Sequence, residues 1–133
     1  MKLNGDAISF CNSKFLSEIC LSRNKWAIFI SGDLESYEDI LNFLSRNISK
    51  FKLISICGEN SEILHDMVDD IIIDCSLEGI MTTWSLEDIG DSIDEFIDMI
   101  PSESNIIFVH SSSITSSVKY FRDVSSKILN SQL

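Results

Sequence analysis

Trp26-Ala27-Ile28-Phe29-Ile30 is five residues with no polar position. A strand with one wet face alternates apolar and polar residues. This run does not alternate, which suits a strand covered on both faces, as in a parallel sheet. Three further runs share the character: Leu53-Ile54-Ser55-Ile56-Cys57, Ile71-Ile72-Ile73 and Ile106-Ile107-Phe108-Val109. All are β-branched or aromatic nearly throughout. A short extra strand fits Gly79-Ile80-Met81-Thr82.

Helical patterns lie between the runs. Leu34, Tyr37, Ile40, Leu41, Leu44 and Ile48 repeat at three-four spacing, with Ser36 and Asp39 placed as a capped start. Ile63, Leu64, Met67 and Val68 form a shorter amphipathic pair of turns. Ile89, Ile93, Phe96, Ile97 and Ile100 form a clear stripe, with Ser85 as a candidate N-cap and Pro101 as the stop. Val118, Phe121, Val124 and Ile128 repeat the pattern towards the C-terminus, and residues 6 to 22 read as an opening helix through Ile8, Cys11, Phe15 and Ile19. Alternating helices and strands imply right-handed crossovers. The expected architecture is a single α/β domain over residues 1–133: a three-layer sandwich with a mostly parallel sheet of four to five strands flanked by helices.

Residues 53 to 118 contain no lysine or arginine and hold fourteen carboxylates. The rest of the chain carries seven acids and ten bases. The whole net charge of −11 therefore resides in one continuous half. Soluble surfaces normally mix both signs, and a one-signed field repels itself. Such a field fits a docking face for a basic partner. It disfavours direct nucleic-acid binding, because phosphates are repelled. No apolar run approaches the ~20 residues of a membrane span, and Met1-Lys2-Leu3-Asn4-Gly5-Asp6 leads into no signal-peptide core. The expectation is a cytoplasmic protein. Cys11, Cys20, Cys57 and Cys75 are widely spaced with no Cys-x-x-Cys. They read as reduced and structural, with Cys57 and Cys75 each ending an apolar run.

The strongest local signal is the acidic helix. Glu87, Asp91, Asp94, Glu95 and Asp98 project opposite the isoleucine stripe. Glu87 with Asp91, Asp91 with Glu95 and Asp94 with Asp98 are like-charge pairs four apart, each costing roughly 0.2–0.5 kcal/mol in an isolated helix. No lysine is interleaved. Trp84 precedes this helix, either as a staple onto Ile89 or as a partner-binding aromatic. Glu59, Glu62, Asp66, Asp69 and Asp70 make a second acidic group.

Catalytic alternatives concentrate in the loops after the strands. Asp33, Asp74 and His110 compose an alternative site for a small α/β enzyme or a degenerate phospho-receiver. The layout is similar to a response-regulator receiver, but one acid, Asp33, stands where a pair belongs. No lysine follows Val109 before Lys119. His110 with Ser111-Ser112-Ser113 has no Gly-x-Ser-x-Gly elbow. His65 has no second His or Cys to complete a zinc site and reads as surface or structural. Neither a metal nor a cofactor is expected.

Ile80-Met81-Thr82-Thr83-Trp84, running into Glu87-Asp88, resembles a segment of small bacterial α/β proteins. The resemblance extends upstream to Cys57-Gly58-Glu59 and covers about residues 26 to 112. The chain more broadly resembles immunity proteins of contact-dependent growth inhibition and related polymorphic toxin systems. That resemblance implies a non-enzymatic cytoplasmic inhibitor of a cognate basic toxin domain, commonly a nuclease acting on RNA, tRNA or DNA. It implies no catalytic residue. The partner-binding residues expected are Trp84, Glu87, Asp91, Asp94, Glu95 and Asp98, with Glu59, Glu62, Asp66, Asp69 and Asp70 as the second group.

Overall fold

The computed structural model describes residues 8–19, 21, 25–31, 37–110, 122 and 124–127. Five strands form one sheet: β1 (Ile8–Asn12), β2 (Trp26–Ser31), β3 (Phe51–Cys57), β4 (Met81–Ser85) and β5 (Asn105–His110). Their spatial order is β1-β5-β2-β3-β4, and every neighbouring pair is parallel. Three α-helices connect them: α1 (Glu38–Asn47), α2 (Ser61–Asp74) and α3 (Ile89–Met99).

The crossovers follow one rule. The connections from β1 to β2, β2 to β3 and β3 to β4 all step across the sheet in one direction. Their buried residues, including Leu16, Phe43, Leu44, Leu64 and Val68, pack on one face with Ile28, Ile30, Ile54, Ile56, Ile107 and Val109. The step from β4 back to β5 reverses direction, so a right-handed crossover must use the opposite face. Ile93, Phe96 and Ile97 of α3 accordingly pack with Ala27, Phe29, Leu53, Cys57, Ile106 and Phe108. The molecule is an α/β three-layer sandwich around a wholly parallel five-stranded sheet.

Strand β2 shows why its run has no polar position. Ala27, Ile28, Phe29 and Ile30 are all fully buried, alternately on the two faces. On the α3 face Phe29, Phe96 and Phe108 form a ring trio with centroids 5.2 to 6.0 Å apart. Such tilted contacts add to the burial term.

Two expected elements differ. Ile71-Ile72-Ile73 is not a strand but the last turns of α2. Ile71 and Ile72 continue the inward stripe of Leu64 and Val68, whereas Ile73 is 71% exposed, which a covered strand would not allow. The helix closes with the Leu77 N–H on the Ile72 carbonyl and the Ser76 N–H on the Ile73 carbonyl. This is a Schellman closure, with Ser76 at φ 54 in the position that favours glycine. The fourth strand lies later, at Met81–Ser85, overlapping the short extra strand expected at 79–82.

The opening helix is likewise absent from the described residues. Residues 8–12 pair with β5 instead, from Ile8 beside Ile106 to Asn12 beside His110. Phe10 and Cys11 pack on opposite faces, as strand alternation requires. Residues 13–18 then make a 3-10 turn, capped by Asn12 Oδ1 accepting from the Lys14 N–H, and Phe15 is 54% exposed. The expected helix start at Ser36 lies outside the described residues, as does much of the C-terminal pattern. Residues 122 and 124–127 are helical.

Cys75 is exposed rather than buried, because it caps α2 instead of ending a strand. Cys11 and Cys57 are buried. Burial and then Glu18 push the Cys11 thiol up to about 11, so it stays protonated and unreactive.

Three outcomes follow from this packing. Phe29→Ala should cost about 3–5 kcal/mol in urea unfolding, since it empties the centre of the ring trio. Ser76→Gly should stabilise by roughly 0.5–1 kcal/mol, by relieving a left-handed non-glycine residue. Iodoacetamide should label Cys75 in the native protein, whereas Cys11 and Cys57 should react only on unfolding, as peptide mapping by mass spectrometry would show.

Candidate partner-binding surface

In a parallel sheet the helices run antiparallel to the strands. The amino ends of α2 and α3 therefore lie at the carboxyl edge of the sheet. The loops Gly58-Glu59-Asn60 and Leu86-Glu87-Asp88 meet there. The Ser85 carbonyl accepts from the Gly58 N–H at 3.0 Å and from Ser61 Oγ at 3.1 Å. This joins the end of β4 to the start of α2. The N-cap of α3 is Asp88, not Ser85: Asp88 Oδ1 accepts from the Asp91 N–H at 2.9 Å. Ser85 belongs to β4, and its Oγ accepts from the Glu87 N–H one step earlier.

The expected binding residues separate into two sets across the sheet. Asp91, Asp94, Glu95 and Asp98 are exposed on α3, and Glu87 is exposed in the loop before it. Glu62, Asp66 and Asp70 are exposed and Asp69 half-buried on α2, on the opposite face. At the carboxyl edge, where the Ser85 carbonyl meets the Gly58 N–H, Glu59 and Glu62 stand at the start of α2 and Glu87 and Asp88 at the start of α3. Carboxylates there sit at helix amino ends, where the dipole favours them. Neither helix carries a base in its last turn, so Asp98 and Asp74 lie at unfavourable ends.

The acidic α3 face is not wholly without a cation. Lys127, from the helical residues 124–127, pairs with Asp94 at 2.8 Å. Sequence spacing within α3 could not reveal this, because the base is 33 residues away. Both side chains are partly exposed, so solvent screening keeps the pair weak. It holds the Lys127 ammonium above its usual range, chiefly through the Asp94 hydrogen bond. Among the described residues Glu87 has no ion pair of this kind. Glu95 beside it, then partial desolvation, then Asp91 and Asp88, raise its carboxyl above its ordinary 4.5.

Trp84 lies in β4 rather than in a loop. By register it stands beside Ile56 on the α2 face, away from Ile89, which packs on the α3 face. It is therefore no staple, and it is 40% exposed. Two residues along the same face, Thr82 makes a clasp the sequence did not disclose. Thr82 Oγ1 donates to Asp69 Oδ1 at 3.0 Å and contacts His65 Nε2 at 3.0 Å. Its one proton goes to the carboxylate, so the imidazole Nε2–H must donate to the hydroxyl. His65 Nδ1 lies 3.5 Å from Asp69 and 3.7 Å from Asp66. The hydroxyl proton is directed to Asp69, so the imidazole does not serve as its base. The group ties α2 to β4. The i, i+4 spacing of His65 and Asp69 was the available signal, but Thr82 had first to be placed on a strand.

The alternative site is not assembled. Asp74 ends α2 at the amino edge of the sheet, and His110 ends β5 at the carboxyl edge. The 14-residue helix alone spans about 21 Å. Asp74 follows no strand, because Ile71-Ile72-Ile73 belongs to the last turns of α2. Asp33 and Ser111-Ser112-Ser113 lie outside the described residues. Among the described residues, no group of three or more His, Cys, Asp or Glu could hold a metal ion. No described helix is long and apolar enough to cross a membrane.

No protein-family model matches this chain, and no curated protein matches it.

Two measurements address this surface. Glu87 binds its proton more tightly folded than unfolded. Its stabilisation is thus present below the unfolded value and lost as pH rises through the folded one. At neutral pH it opposes folding, so Glu87→Gln should raise Tm at pH 7 and flatten the gain in stability as pH falls towards 4.5. Thr82→Val should cost about 1–2 kcal/mol in urea unfolding, because His65 and Asp69 lose their shared partner.

Proposed function

We propose that the chain is a cytoplasmic immunity protein that binds and neutralises a basic toxin domain, a nuclease, through its acidic surface. The observation that supports this most is the carboxyl edge of the sheet. There the amino ends of α2 and α3 place Glu59 and Glu62, and Glu87 and Asp88, along one edge of the sheet, in a half of the chain without lysine or arginine. Glu87 is held against Glu95 and Asp91 strongly enough to shift its protonation. Folding alone gains nothing from that crowding. A cationic partner would relieve it, and a nuclease is cationic because it must hold phosphates. Opposite fields also speed encounter, towards ~10⁸ M⁻¹s⁻¹ or above at low salt. The protein acts by occupancy and performs no chemistry.

The test is a pull-down and nuclease-protection assay with the cognate toxin domain. The double variant Asp91→Lys, Asp94→Lys should bind roughly 10- to 100-fold more weakly, lose part of its salt dependence and keep its native circular dichroism. Unchanged affinity and salt slope would remove α3 from the interface. Failure to protect nucleic acid from any candidate nuclease would overturn the proposed activity.

A further inference from the structure

β4 ends the sheet, and no described strand lies beyond it. Protein edges are usually blunted by lysine, proline or a bulge. Met81-Thr82-Thr83-Trp84-Ser85 contains neither residue, and its pairing with β3 runs without a register shift. The main-chain directions follow from one hydrogen bond. The Ser85 carbonyl accepts from the Gly58 N–H, so Ser85 turns its polar groups towards β3, and by alternation Thr83 and Met81 do the same. Thr82 and Trp84 turn theirs outward.

The edge is also braced from within. Thr82 is clasped by His65 and Asp69 on one face. Thr83 Oγ1 meets Ser55 Oγ at 2.8 Å on the other. Ser85 is held by Gly58 and Ser61. A strand fixed in this way has little ordering entropy left to lose on binding. Exposed apolar side chains flank it: Met81 at 51%, Trp84 at 40% and Leu86 at 67%. Asp69, 40% exposed, stands beside Thr82, and Asp66, 76% exposed, stands beyond it against His65.

We infer that β4 is a docking edge for an extended, arginine- or lysine-bearing segment of a partner protein, which adds as a sixth strand. The segment's main chain would pair with Thr82 and Trp84. Cationic side chains on the α2 face would reach Asp66 and Asp69, and apolar ones would cover Met81 on the other. The charge argues against a second copy of this chain, since its own edge would bring the same carboxylates together. This deepens the proposed function by naming how the basic partner is held.

The experiment follows amide exchange by NMR with an eight-residue peptide of alternating valine and arginine. A control peptide replaces the valines with proline and methylates the arginine main-chain nitrogens, keeping the charge but removing every ladder donor. The first peptide should slow exchange at the Thr82 and Trp84 amides about tenfold, leave Thr83 and Ser85 unchanged, and lose affinity on Asp66→Asn, Asp69→Asn substitution. The proline peptide should do none of this. Equal salt-dependent binding of both peptides without slowing at Thr82 and Trp84 would overturn the docking edge and leave the acidic-surface reading standing. Equal protection by a valine-serine peptide would overturn the cationic occupant. Protection of the same amides without peptide, in a dimer seen by light scattering, would show that a second copy takes the edge and overturn the inference.

Discussion

The whole arrangement depends on burying a strand from both sides. Ala27, Ile28, Phe29 and Ile30 are closed to solvent on both faces, and an apolar ribbon of this kind cannot be stable until helices cover each side. Chirality then assigns the helices. Steps in one direction place Leu16, α1 and α2 on one face, and the single return step places α3 on the other. The positions of the acidic groups on α2 and α3 follow from that assignment, because the two helices carry their carboxylates to opposite outer surfaces.

The parts of this fold that were legible in sequence are those whose signal is local. The runs at 26–30, 53–57 and 106–109 do not alternate apolar with polar residues, Ser55 being their one polar member, because both their faces are covered, and they are strands. The stripe of Ile89, Ile93, Phe96 and Ile97 is helical because one of its faces is covered. Two segments misled for opposite reasons. Ile71-Ile72-Ile73 has strand-forming residues, but it completes a helix whose inward face was already set by Leu64 and Val68, so tertiary packing outweighs propensity. Residues 8–19 fit a helical period by coincidence, while the free side of β5 captured Ile8–Asn12 as a further strand.

The candidate surface shows the same division. Like-charge spacing along α3 and the absence of lysine from 53–118 are visible in the sequence. The distribution of the acids on two faces is not, since it requires strand order. The Lys127–Asp94 pair and the Thr82 clasp are contacts between distant segments, which no window of sequence contains. What the chain does display locally is unfavourable design for an isolated domain. Asp74 and Asp98 sit at the carboxyl ends of their helices, and the core must offset that repulsion.

The Ser85 carbonyl is held at once by the main chain of Gly58 and the side chain of Ser61, so the far end of β4 is riveted to the first turn of α2. The near end is fastened one residue further in, where Thr82 meets His65 and Asp69, which leaves Met81 alone without a side-chain clasp among the hydrogen bonds described. Mechanical or thermal detachment of this ribbon would thus proceed like a zip opened from one end, with Met81 lifting first and Ser85 last. The Gly58–Asn60 turn between β3 and α2 would keep its shape until the final tooth parted.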